Sequence, residues 1–261
     1  MSEGYLDVAI KAAKTSGFIL RDYFRNIHDF RNKNKNIRDL VTEVDILAEK
    51  NIKDIIQKTF PDHSIAAEES MMEQRDASII WHIDPLDGTV NYAHGIPLCA
   101  ISVALQEGND IVAGVIFNPF SDEMYYASKG NGAYLNGVKI QVSKKENFKE
   151  GLYIAAFSSA PSHLKNKEYE VFGKINDGTR GVLRIGSAAL ALAFLSNGRI
   201  DGFWAKDLYA WDVAAGVILV REAGGRISSG DGEDYSFDKS LLVASNAMIH
   251  DELIQNLTDL K

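Results

Sequence analysis

The stretch Ser78-Ile79-Ile80-Trp81-His82-Ile83-Asp84-Pro85-Leu86-Asp87-Gly88-Thr89 decides how this chain is read. Ser78 to Trp81 is a short, apolar, β-favouring run, which predicts a buried strand. The strand ends in two acids, Asp84 and Asp87, with Pro85 between them. Proline has no N–H to give a ladder, so the chain is expected to turn there. Gly88 allows a close backbone approach, and Thr89 adds a hydroxyl. Two carboxylates at the mouth of an apolar strand are costly unless a positive charge meets them. A hard divalent cation with oxygen ligands fits that need. The other reading is a solvated Asp–Gly turn.

The whole chain has 261 residues, enough for one large domain or two small ones. Apolar residues make up 46% and charged residues 25%, the balance of a globular protein with a sizeable core. A net charge of -8 argues against a general nucleic-acid or membrane-surface binder, which needs a basic face. It permits phosphorylated substrates, because a bound metal can supply positive charge locally. Cys99 is the single cysteine, so no intrachain disulfide or zinc finger forms, and its apolar surroundings mark it as core. The N-terminus has no apolar signal region, and no run approaches the roughly 18 apolar residues of a membrane span. The expectation is a cytoplasmic enzyme.

Upstream, Leu6, Ile10, Ala13, Gly17, Leu20 and Phe24 recur at steps of four and three, one face of an amphipathic helix. Arg31 to Arg38 is polar and basic, and reads as a solvated loop or a flap carrying positive charge over a phosphate. Asp45 is expected to cap a helix that begins at Ile46 and ends before Pro61. His63 to Ala67 reads as a strand running into Glu68-Glu69. Downstream, Asn91 to Pro97 is expected to be a loop. Leu98–Leu105 and Ile111–Phe117 form a hairpin about Gly108-Asn109, and Asn136-Gly137 is a further tight turn. The first half is therefore a largely antiparallel sheet flanked by two helices. After residue 150 strands and helices alternate: a strand over 152–157, helices over 165–176, 188–195 and 213–222, and a strand over 200–204. Residues 1–150 and 151–261 are expected to make two α/β halves of one continuous unit, the first carrying most of the acids and the second Asp212.

Glu68, Asp84, Asp87 and Asp212 all stand at the ends of predicted elements. Converging, they would make an oxygen-only cage that two or three Mg²⁺ could neutralise. Metals about 3.5–4 Å apart can share a phosphate oxygen and activate a water. N–H groups after Gly88 and near Asp212 would suit the remaining phosphate oxygens. No lysine, cysteine or histidine sits where a covalent nucleophile is needed, which favours attack by water.

Asp84-Pro85-Leu86-Asp87-Gly88-Thr89 and Trp211-Asp212-Val213-Ala214-Ala215-Gly216 resemble the two signature motifs of the inositol monophosphatase family. Glu68-Glu69-Ser70, Asp39-Leu40-Val41-Thr42 with Asp45, Gly186-Ser187-Ala188-Ala189 and Glu222-Ala223-Gly224-Gly225 resemble its other motifs, in order along nearly the whole chain. The resemblance implies an α/β (α+β) fold, a five-layered αβαβα sandwich of the sugar-phosphatase type. It also implies a homodimer and Li⁺-sensitive, Mg²⁺-dependent hydrolysis of phosphate monoesters. By position it implies that Glu68, Asp84 and the Leu86 carbonyl hold a first metal, and Asp84, Asp87 and Asp212 a second. Glu68 would also serve a third metal through water. Thr89, oriented by Asp45, would position or deprotonate the attacking water, with the Gly88 and Thr89 N–H groups on the phosphate. Asp87, Gly186, Ser187, Ala188 and Asp212 would line the alcohol side.

Three positions depart from the family pattern. Ala67 replaces a usual glycine before the Glu pair, and Asn34, between Lys33 and Lys35, falls where relatives often carry a flap lysine. Ala205 stands where members acting on inositol phosphates have a glutamate, with Lys206 and Asp207 as possible substitutes. Small phosphorylated polyols or sugars are the implied substrates, inositol 1-phosphate first. Histidinol phosphate, fructose 1,6-bisphosphate, 3′-phosphoadenosine 5′-phosphate and NADP(H) stay open as rivals. So does a non-catalytic role in transcription or ribosome-maturation complexes, as in some bacterial relatives.

Overall fold

Helix α1 (Tyr5–Tyr23) turns Val8, Ala9, Ala12, Ala13 and Leu20 inward, the stripe the sequence spacing predicts. The structure is a computed structural model describing residues 4–26, 30–32, 40–73, 76–157 and 165–260. Helix α2 (Glu43–Thr59) lies beside α1 and buries Val44, Ala48, Ile52 and Ile56. It starts before the expected Ile46. Thr42 is its N-cap, the hydroxyl accepting the Val44 N–H at 3.2 Å. Asp45 is its third residue and reaches back to the Thr42 N–H at 2.8 Å. Asp45 thus completes a capping box and is not itself the cap. Strands β1 (Phe30–Asn32) and β2 (Leu40–Thr42) pair antiparallel, so the basic stretch begins in a strand where a loop was expected. The flap positions 33–39, with Asn34 and Asp39, lie outside the described residues.

Eight strands make the first sheet: β3 (His63–Ala67), β4 (Met71–Glu73), β5 (Asp76–Asp87), β6 (Ala100–Glu107), β7 (Asp110–Asn118), β8 (Glu123–Ser128), β9 (Gly132–Leu135) and β10 (Val138–Ile140). Their order is β10-β9-β8-β7-β6-β5-β3-β4, antiparallel except where β3 runs parallel to β5. Both expected hairpin turns are present. Pro85 does not turn the chain as expected. β5 continues to Asp87, and its pairing with β6 jumps from Asp84↔Ser102 to Asp87↔Ala100. The proline sits inside that irregularity, where no ladder N–H is required. Asn91 is helical rather than looped, inside the short helix α3 (Thr89–Ala93).

The second sheet holds β11 (Leu152–Ala156), β12 (Gly181–Leu183), β13 (Gly202–Lys206), β14 (Arg226–Ser229) and β15 (Leu241–Ser245) in the order β12-β11-β13-β15-β14. β11 is parallel to both neighbours, whereas β15 is antiparallel to both of its own. Helices α4 (Lys165–Gly178), α5 (Ala188–Ser196), α6 (Ala210–Glu222) and α7 (His250–Asn256) complete the described fold.

Four apolar cores separate five layers, as the αβαβα expectation requires. One joins α1 and α2 to the first sheet through Ile52, Trp81 and Val103. The next joins that sheet to α5 and α6 through Ile116, Leu190 and Leu219. A third joins the same helices to the second sheet through Leu192, Phe203 and Val217. The last covers the outer face with α4 and α7 through Val171, Trp204 and Leu253. The central helices are buried on every side, so neither shows a polar face: Val213 to Val220 are all buried. Gly216 permits their close packing, since a Cβ there would lie 2.3 Å from Leu192 Cδ1.

Candidate active site

The end of β5 places Asp84 in the interior, 1% exposed, facing the α6 side of the sheet. Its Oδ1 accepts the Leu86 N–H at 2.9 Å. Burial raises its pKa well above the carboxylate range, and the charges of Glu68, Asp87 and Asp212 push the same way. Glu68 also shares a hydrogen bond with it. The four acids singled out by sequence are therefore neighbours, although Glu68 follows β3 and Asp212 opens α6.

Two buried groups that sequence reasoning missed bring them together. Ser102, opposite Asp84 in the ladder, donates its hydroxyl to the Trp211 carbonyl at 3.1 Å and so pins the start of α6 against β5. Glu49 on α2 accepts the Glu69 N–H at 2.7 Å and holds the turn that carries Glu68. Serine in a strand and glutamate on a helix leave no sequence signal for either contact.

Asp87 crosses to the second half of the chain. It accepts the Ser187 hydroxyl at 2.5 Å, the Ala188 N–H at 3.3 Å and the Ala189 N–H at 2.6 Å. These donors lower its pKa, but burial outweighs them, and the result is about 6. Asn91 ties the same regions, its amide donating to Leu98 O and Ile185 O, both at 2.7 Å. That amide is also why Gly186 is glycine, with φ 74° and a virtual Cβ 3.0 Å from Asn91 Nδ2. Gly88 has φ 94°, and a Cβ there would meet Leu98 O at 2.9 Å.

Thr89 donates its hydroxyl toward Asp45 Oδ1 at 3.1 Å and Leu86 O at 3.0 Å. Asp45 is fully buried; burial raises its pKa to about 6, against the lowering effect of its bonds with Thr42. A carboxyl poised near neutrality next to a hydroxyl can exchange a proton with it. At the other wall, Asp212 Oδ2 accepts the Tyr209 N–H at 2.8 Å, while its own N–H goes to Tyr209 O. That N–H is thus used inside the helix start rather than offered to a ligand. Cys99 is buried with its thiol pKa pushed up by burial, which makes it core and not a nucleophile.

Among the described residues, no three His, Cys, Asp or Glu side chains surround one point in ligating geometry. The hydrogen bonds explain this: Asp84, Asp87, Asp45 and Asp212 are each turned onto an N–H or hydroxyl donor. The donor set is all oxygen and mutually repelling, and burial holds Asp84 and Asp87 off their ionised forms, which fits a hard divalent cation.

The profile of the inositol monophosphatase family matches residues 1–261. The inositol-1-monophosphatase of Synechocystis sp. is 37% identical over 254 residues, covering 97% of this chain and 88% of the relative. The fructose-1,6-bisphosphatase/inositol-1-monophosphatase of Thermotoga maritima is 35% identical over 250 residues, covering 96% and 94%. The solved inositol monophosphatase from Anabaena (Nostoc) sp. superposes with a TM-score of 0.86 at 36% identity, covering 97% of this chain and 95% of that one.

Proposed function

The chain belongs to the inositol monophosphatase family of phosphoric monoester hydrolases, and from that premise we propose that it is a Mg²⁺-dependent phosphatase of small polyol or sugar monophosphates, inositol 1-phosphate first. The observation that carries the proposal is the buried Asp84, whose ionisation is opposed by Glu68, Asp87 and Asp212 together. Glu68, Asp84, Asp87, Asp212 and the Leu86 carbonyl would hold the Mg²⁺, two or three ions per site. When bound, Mg²⁺ neutralises phosphate charge and makes a water acidic.

The chain's own residues do the rest. Thr89 Oγ orients the attacking water and takes its proton while passing its own to Asp45 Oδ1. The water oxygen forms a new P–O bond as the ester P–O bond breaks, and the leaving alkoxide takes a proton from solvent. The N–H groups of Gly88 and Thr89 would hold phosphate oxygens. Gly186, Ser187 and Ala188 would face the alcohol, with Ser187 and Ala188 also orienting Asp87. The bonds from α5 to Asp87 support reading residues 1–150 and 151–261 as one catalytic unit. The same reading includes inhibition by Li⁺, a homodimer and a cytoplasmic setting. No helix among the described residues is long and apolar enough to cross a membrane.

Ala205 leaves the polyol itself open, and the bifunctional name of the Thermotoga relative keeps fructose 1,6-bisphosphate beside inositol 1-phosphate. Phosphate release from inositol 1-phosphate, fructose 1,6-bisphosphate and histidinol phosphate, with Mg²⁺ and with EDTA, tests the proposal. Mg²⁺-dependent release led by inositol 1-phosphate supports it. Release from none of these esters overturns the phosphatase reading, and release without Mg²⁺ overturns the metal assignment.

A further inference from the structure

Beyond Asp212, neither Ala205 nor Lys206 offers a contact to a substrate hydroxyl. Ala205 is 1% exposed and its methyl packs with Val213 and Leu242. Lys206 cannot substitute, because its Nζ donates to Leu260 O at 3.0 Å in the interior. The apolar cluster around Ala205 also includes Tyr235, which brings a hydroxyl to this wall. Tyr235 lies in the loop between β14 and β15 and is 9% exposed.

That loop is tied down along its length. Asp234 bridges to Ser228, the Ser229 N–H donates to Glu233 O at 2.9 Å, and the Asp207 N–H donates to Ser240 O at 2.7 Å. Phe237 meets the Tyr235 ring edge-on, with centroids 5.9 Å apart and 87° between planes. Phe237 in turn lies 5.6 Å from the ring of His82, two residues before Asp84 on β5. The tyrosine is therefore held in place by rings and backbone, whereas its hydroxyl makes no hydrogen bond among the described residues. Burial pushes the pKa of that hydroxyl up to about 12, and the carboxylates of Asp212 and Asp238 push the same way. At neutral pH it keeps its proton and is a donor on the Asp212 side of the site. A largely buried donor without a partner is costly until an acceptor meets it. The alcohol of a polyol ester carries such acceptors, and the alcohol of a simple ester does not.

We propose that Tyr235 is a specificity-determining residue, whose hydroxyl donates to a free hydroxyl of the substrate's alcohol and so favours polyol monophosphates over esters of simple alcohols. The proposal rests on the hydrolysis inferred above for the same site. The test compares kcat/KM for glycerol 2-phosphate and isopropyl phosphate in the wild type and in Tyr235→Phe. The two esters share one carbon skeleton and differ only in the hydroxyls of glycerol. The wild type is expected to prefer glycerol 2-phosphate. Tyr235→Phe keeps the ring and its packing, and should cut that preference about fivefold while leaving isopropyl phosphate within about twofold. No preference in the wild type, a preference that survives Tyr235→Phe, or an equal fall on both esters overturns the inference. In each of those cases hydrolysis by the wild type keeps the phosphatase reading. Hydrolysis of neither ester by the wild type removes both.

Discussion

Asp84 and Asp110 are the same side chain on one sheet, and their environments push them in opposite directions. Asp110 begins β7 at the surface, where Lys129 Nζ lies 2.8 Å away and lowers its pKa. Asp84 ends β5 in the interior, where burial and three further acids raise its pKa. The surface acid has its counter-ion in the chain. The interior acid is surrounded by charges of its own sign, an arrangement that costs stability and persists where function needs it. Asp231 and Asp238 behave like Asp110: hydroxyl partners Ser229 and Ser236 lower them. An abundance of acids therefore says little, and the upward shifts of Asp45, Asp84 and Asp87 set them apart from these surface acids.

Exchanging each acid for its amide should break the comparison most visibly. Asp84→Asn is expected to lower kcat with saturating Mg²⁺ by about 10³-fold or more. It should also raise stability without metal by about 0.5–2 kcal/mol, because a buried acid whose ionisation the fold opposes is gone. Asp110→Asn should keep the rate within about twofold and give no gain in melting temperature. Phosphate-release kinetics and thermal melts of both variants check this. A loss of stability in Asp84→Asn would mean that the carboxylate is a structural anchor. A smaller effect sharpens the role of Ser102, which ties α6 to β5. Ser102→Ala should weaken Mg²⁺ activation about tenfold and cost about 1 kcal/mol. An unchanged Mg²⁺ dependence would show that Asp212 keeps its place without that bond.

Asp84, Asp87 and Asp212 were legible in the sequence because each stands at the end of an element beside Pro85, Gly88 or Trp211, whereas Glu68 stood out through its pairing with Glu69 at the end of a short strand. Hairpin turns in the first half and apolar helices in the second supplied the element types, while the five-layered order came only from the resemblance to the inositol monophosphatase family. The short strands β12, β14 and β15 and helix α7 were not legible: they run three to seven residues, too short for a period to emerge. Asp45 was misplaced by one role because Thr42 caps α2 with an aspartate where the usual box has glutamate or glutamine. Pro85 was read as a stop because the break in pairing between Asp84 and Asp87 depends on β6, which lies outside the local sequence. Ser102, Glu49 and Asn91 act through partners far along the chain, at 109, 20 and 94 residues' separation, and no local pattern announces them.

The central claim is that the buried acids Asp45, Asp84 and Asp87 resist ionisation until a cation joins the cluster, and melting temperature against pH tests it most directly. Asp45 and Asp87 have folded pKa values of about 6, above the ordinary 3.8. Between those values the folded chain binds more protons than the unfolded one, so stability present below about pH 4 is lost as pH rises through about 6. Moving one carboxyl from 3.8 to about 6 corresponds to about 3 kcal/mol at most. In EDTA the melting temperature should therefore fall between pH 4.5 and 6.5, and Mg²⁺ should restore it at pH 7.5 but do little at pH 4.5. A melting temperature that rises through this window in EDTA, with no response to Mg²⁺ at pH 7.5, would contradict the account.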